Sequence, residues 1–143
     1  EGMGTTVVVL RIENNTYEIS WVGDCRAYLW DGFTLKQLTK DHSYVQHLVD
    51  TGVISLSESA NHPYQDVLIQ ALGAADIENV NVETINQQFH QNEQILMCSD
   101  GLTKEVSDQG IAETLALGIE EQEKVDLLIQ TAALSRSLIL AFQ

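Results

Sequence analysis

Hairpin signals in the first forty residues constrain this chain more than any other feature. Residues 5–12, TTVVVLRI, are rich in β-branched side chains and read as a strand buried on both faces. Asn14-Asn15 marks a turn. In the following TYEISWVG, Tyr17, Ile19 and Trp21 alternate with Glu18 and Ser20, the period of two expected of a strand with one covered face. Gly23-Asp24 breaks that strand, Arg26–Trp30 predicts a third, and Asp31-Gly32 turns the chain into Phe33–Leu38. Together these segments predict an antiparallel meander.

The period then changes. Val45, Leu48, Val49 and Gly52 fall at helical spacing, so residues 43–51 predict a helix with Ser43 as N-cap and Gly52 as its stop. Ser55 and Glu58 fit a capping box opening a short helix that ends before Pro63. Residues 66–72 and 79–86 predict further strands, Asn92-Glu93 a turn, and Gln94–Cys98 another strand. Ser107 precedes a helix over 108–117, and a second helix over 120–134 carries Val125, Leu128, Ile129, Ala132 and Ala133 as one apolar stripe. Leu138–Phe142 reads equally as a strand or as a helical tail. Strands in hairpins followed by helices predict the α+β class, with two packed antiparallel sheets flanked by helices in one domain over 1–143.

Composition narrows the partners. With 44% hydrophobic residues in 143, the chain can bury a core. Twenty-one acidic residues against seven basic give a formal charge of −14, which repels nucleic acid and anionic lipid, so neither is expected to bind. No apolar stretch approaches the ~20 residues that span a bilayer, and the start lacks a basic segment leading into an apolar one. Cys25 and Cys98 sit in apolar contexts without metal-ligand spacing, which predicts reduced structural thiols in a cytoplasmic protein.

Four segments bear chemistry: Met3-Gly4-Thr5-Thr6, Val22 to Tyr28 around Gly23-Asp24-Cys25-Arg26, Leu38-Thr39-Lys40-Asp41-His42, and Cys98-Ser99-Asp100-Gly101-Leu102. Each alone has a plain explanation. An Asp-Gly after a strand is a turn, and Asp41-His42 ahead of a helix is N-terminal capping beside a surface imidazole. His47, His62 and His90 have no spaced partner and are given no role.

In order, however, MGTT, GDCR, TKDH with VQHLVDTG, HPYQDVLIQALG and CSDGL resemble the signature segments of the bacterial metal-dependent protein serine/threonine phosphatases, the type 2C or PPM family. The resemblance runs from Met3 to about residue 133. It implies Mg or Mn ions held by aspartates, whose bridging water attacks the phosphorus of phosphoserine or phosphothreonine. Hard divalent cations favour carboxylate oxygens, acidify bound water and offset charge on the phosphoryl oxygens. By the same resemblance Asp100 matches the late ligand of the binuclear centre, and Asp41 a ligand of a weaker third ion. Gly23, Asp24 and Arg26 match a supporting turn, and Gly101 a close passage of the chain past the ions. Cys25 stands where the family usually has Ser, a change of one hydrogen bond. A phosphoprotein substrate or a regulatory protein is the implied partner.

Two family motifs have no counterpart. An ADGMGG-type motif precedes the MGTT strand in the family; Glu1-Gly2-Met3-Gly4 does not supply it, because Thr5 and Thr6 follow at once. A closing GGxDN-type segment is replaced by Ala133-Leu134-Ser135-Arg136-Ser137-Leu138, and no Asp or Glu follows Asp126. With Glu1 rather than Met at its start, the chain reads as an incomplete domain whose N-terminal part is missing. The expectations are partial metal occupancy, little turnover, and self-association through uncovered sheet edges. The alternative is a catalytically dead phosphatase-like module that binds a phosphoprotein or regulatory partner.

Overall fold

In chain order the elements are β1 (Val7–Glu13), β2 (Thr16–Val22), β3 (Arg26–Trp30), β4 (Leu35–Gln37), α1 (Tyr44–Asp50), α2 (Leu56–Ser59), β5 (Glu83–Gln88), β6 (Gln94–Cys98), α3 (Asp100–Thr103), α4 (Asp108–Leu115) and α5 (Glu121–Leu134). The structure is a computed structural model that describes residues 3–74 and 78–134. The α+β class and the two antiparallel sheets with helices agree with expectation. The chain forms two compact units, one of residues 1–25 and 40–88, the other of residues 26–39 and 89–143.

The first unit carries a three-stranded sheet in the order β1-β2-β5, antiparallel throughout. Asn14, in the left-handed region at φ 54°, closes the β1–β2 hairpin that pairs Glu13 with Thr16 and Val7 with Val22. Tyr17, Ile19 and Trp21 point inward and are almost wholly buried, as their alternation predicts. β1 departs from its predicted two-sided burial: it is an edge strand, and Val9 and Ile12 remain about half exposed. β-Branched side chains suit any pleated strand, central or edge, so composition could not tell the two apart. Ser43 caps α1 by accepting from the Gln46 N–H, and the Ser55–Glu58 capping box opens α2 as expected.

The predicted meander is corrected. β3 does not pair with β2; it is the centre of the second unit's sheet, in the order β4-β3-β6, while β5 takes the place beside β2. The strand predicted over 66–72 is absent, replaced by isolated bridges from Ser43 to Leu68 and from Thr5 to Leu72. The next strand starts at Glu83 rather than 79 and ends at Gln88. The segment Leu138–Phe142 lies outside the described residues.

In the second unit β3 pairs antiparallel with β4 and β6, with Arg26 opposite Cys98 and Trp30 opposite Gln94. Tyr28, Trp30, Cys98, Leu102, Val106, Ile111, Leu115, Leu128 and Ala132 form its core. Ser107 caps α4 through the Gly110 N–H. The α5 stripe is largely as predicted: Leu128 and Ala132 are buried, Val125 and Ile129 half-buried, and Lys124 shares the row, whereas Ala133 is exposed. Among the described residues no helix is long and apolar enough to cross a membrane.

Burial of Leu128 sets its cost. Leu128→Ala should lose about 2–5 kcal/mol by the cavity it leaves. Leu134→Ala, on the same helix and 86% exposed, should stay within about 0.5 kcal/mol. Urea denaturation should show the first change as a lower midpoint at unchanged slope and the second as almost none.

Candidate functional site

Gly23 is where the first two chemistry-bearing segments meet. Its φ of +107° lies where side chains are rarely tolerated, and a Cβ there would fall 2.3 Å from Thr6 Cγ2 and 2.6 Å from Thr6 Cβ. Glycine is therefore required both by conformation and by space. Thr6 Oγ1 lies 3.1 Å from Cys25 Sγ, so the thiol has a polar neighbour.

The third segment closes on the same turn. The His42 N–H donates to the Gly23 carbonyl at 2.9 Å, and the Gly23 N–H donates to His42 Nδ1 at 3.0 Å. The His42 carbonyl accepts from the Ile69 N–H at 2.9 Å. Its Nε2 lies 2.9 Å from Glu83 Oε1. The Trp21 ring stacks on the imidazole with centroids 6.1 Å apart, and the indole N–H donates to the Lys40 carbonyl at 2.9 Å. His42, expected at the surface, is only 6% exposed. Asp41 is thus flanked on both sides by residues whose backbone is gripped, and is itself half-buried, as is Asp24. Lys40 Nζ reaches both oxygens of Asp50 on α1 at 3.3 Å. The Gln46 amide and then Lys40 hold the Asp50 carboxyl below its usual value.

Sequence reasoning passed over Trp21, His42 and Glu83. Trp21 had a signal, since its place in the alternation sends it inward. Glu83 had none: its partnership with His42 depends on β5 pairing with β2 so that Glu83 stands opposite Trp21.

In the second unit, Arg26 Nη1 donates to the Tyr28 hydroxyl at 3.0 Å, and that hydroxyl donates to Asp108 Oδ1 at 3.0 Å. Burial raises the phenol's pKa well above its ordinary value, with Arg26 opposing. Asp100 opens α3, and its Oδ2 is 2.7 Å from Lys104 Nζ, one turn on. Gly101 lies within the same short helix and is not among the glycines with positive φ. Asp41 belongs to the first unit and Asp100 to the second.

Carboxylate oxygens are the right donors for Mg or Mn. Among the described residues, however, no three His, Cys, Asp or Glu side chains are grouped as a metal site requires, and Asp100 is paired with an ammonium. The described residues do not by themselves fit a complete binuclear centre.

The family model of Protein phosphatase 2C matches residues 1–47. The serine/threonine phosphatase stp of Listeria monocytogenes is 40% identical over 131 residues, which are 92% of this chain and 51% of the relative. The structure of the serine/threonine phosphatase Stp1 from Staphylococcus aureus superposes with a TM-score of 0.86 at 31% identity, covering 98% of this chain and 57% of that one. The catalytic domain of the serine/threonine protein phosphatase PstP in complex with two manganese ions gives a TM-score of 0.78 at 32% identity, over 90% of this chain and 52% of that one. The resemblance to type 2C phosphatases therefore extends over most of this chain, which spans about half the length of the relatives it matches.

Two measurements probe these contacts. Gly23→Ala should cost about 2–4 kcal/mol, from backbone strain plus the clash with Thr6. Gly32→Ala, at φ +97° but with nothing near the added Cβ, should cost only about 1–2 kcal/mol. Thermal midpoints compare them. For Tyr28, a folded-state pKa raised above 10.0 means the native state holds the proton more tightly. Its stabilising share is present below pH 10 and is lost as pH rises past that point. Tyr28→Phe should remove this part of the alkaline fall, at a neutral-pH cost of about 1–3 kcal/mol, as read from denaturation midpoints across alkaline pH.

Proposed function

We propose that this chain is part of a metal-dependent protein serine/threonine phosphatase domain that acts on phosphoserine or phosphothreonine in a phosphoprotein. The supporting observation is that segments resembling the family's signatures pack on each other residue by residue within the first unit: Thr6 against Gly23, and Gly23 against His42. In this reading Asp100 and Asp41 each offer a carboxylate to a Mg or Mn ion, while Gly23, Asp24 and Arg26 hold the chain around them. When bound, such ions supply an activated water and offset charge on the phosphoryl oxygens.

The chain's own part is orientation. Asp41 is fixed through the backbone bonds of His42 and the indole contact to Lys40. Asp100 is presented at the start of a helix whose Leu102 is anchored in the core. Lys104 neutralises Asp100 and has to yield it before a cation can take it. Two cysteines in apolar contexts, Cys25 and Cys98, with no metal-ligand spacing suit a reducing compartment, which supports a cytoplasmic location.

The test is Mn²⁺-dependent hydrolysis of a phosphothreonine peptide by the purified chain, with a chelator control. With one carboxylate offered to each ion, most coordination positions stay with water, so these 143 residues alone should bind Mn²⁺ weakly and turn over slowly. Asp100→Asn should remove the Mn²⁺-dependent part, and Asp41→Asn should weaken Mn²⁺ binding about tenfold or more. Turnover untouched by chelator would overturn the reading. Phosphopeptide binding with no response to Mn²⁺ would replace it with a binding module.

A further inference from the structure

His42 has four polar groups, and all four are engaged. Its N–H and Nδ1 both bond to Gly23, its carbonyl to Ile69, and its Nε2 to Glu83. An imidazole that accepts from a backbone N–H at Nδ1 carries its one proton on Nε2, where the Glu83 carboxylate is placed to accept it. Glu83 stands directly opposite Trp21 in the β2–β5 ladder, so both side chains rise from the same face of the sheet. One of them orients the imidazole edge; the other stacks on its face and bonds to Lys40. The last β2–β5 pair therefore grips residues 40–42 from two sides.

We propose that His42 is a positioning residue, oriented by Glu83 and seated on Trp21, which fixes the Gly23-Asp24 turn and the Asp41 carboxylate in a single arrangement. It acts through its neighbours, since the ring is buried and both nitrogens are occupied. A second conformer of the turn would leave Nδ1 or the Gly23 N–H buried without a partner, and that penalty is what makes the arrangement unique. The inference rests on the phosphatase reading only for what the held carboxylate serves.

Nitrogen NMR of the whole chain tests it. His42 should show a bare Nδ1 and a protonated Nε2, and Glu83→Ala should speed exchange of the Nε2 proton with water whereas Glu83→Gln, which keeps an acceptor, should not. Hydrogen exchange at the Gly23 amide should speed up about tenfold in His42→Ala. His42→Asn, whose amide oxygen can stand in for Nδ1, should restore most of the protection. A protonated Nδ1 in the native chain, or unchanged Gly23 exchange in a folded His42→Ala protein, would overturn the proposal, and the first result needs no variant to fold. Added Mn²⁺ separates the two readings: if it fails to broaden the Asp41 resonances of the native chain, the metal role of Asp41 falls while the tautomer and exchange results still support His42 as the positioning residue.

Discussion

The reciprocal pair of hydrogen bonds between Gly23 and His42 is the contact on which the rest of the arrangement depends. The chain leaves the first unit after Cys25 and re-enters it at Lys40. Gly23 and His42 therefore stand at the two ends of an excursion, and bonding them together closes it. The excursion's own base is tied in the same manner within the second unit, where the Leu38 N–H donates to the Ala27 carbonyl at 2.8 Å and the Ala27 N–H to Thr39 Oγ1 at 3.1 Å. Closing a loop at its base confines the entropy cost to the residues between, and each buried polar group on either side finds its partner.

That closure explains why glycine, threonine and tryptophan recur where they do. Gly23 must be glycine so that Thr6 can lie against it, and Thr6 in turn faces the Cys25 thiol. Trp21 supplies the apolar floor for an imidazole that would otherwise be a costly polar group in the core. In the second unit Tyr28 has the comparable role, carrying one hydroxyl into a fully apolar cluster and satisfying it through Arg26 and Asp108. Both units thus place a hydrogen-bonded polar side chain beside the segments that bear Asp41 and Asp100.

Local signals were legible. The alternation of Tyr17, Ile19 and Trp21, the serine caps at 43, 55 and 107, and the α5 stripe around Leu128 all appear as read, because each depends on residues within one turn or one strand. The ordered segments were legible too, and the similarity to serine/threonine phosphatases over 92% of the chain agrees with them. Partner strands were not. Nothing local in β2 distinguishes β3 from β5 as its neighbour, since both are short and antiparallel-compatible; the left-handed turn at Gly23 and the pairing of Glu83 with Trp21 make that choice.

By itself, then, the sequence determined the periodicities, the caps, the acidic surface and the order of the chemistry-bearing segments, all of which are properties of neighbouring residues or of sums over them. The tertiary structure alone decided that His42 is buried rather than exposed, that Glu83 is its partner, and that β2 and β3 belong to different sheets. The physical reason is that a hydrogen bond between positions 42 and 83 exists only after a ladder has brought them together. No composition or spacing records the free energy of that meeting.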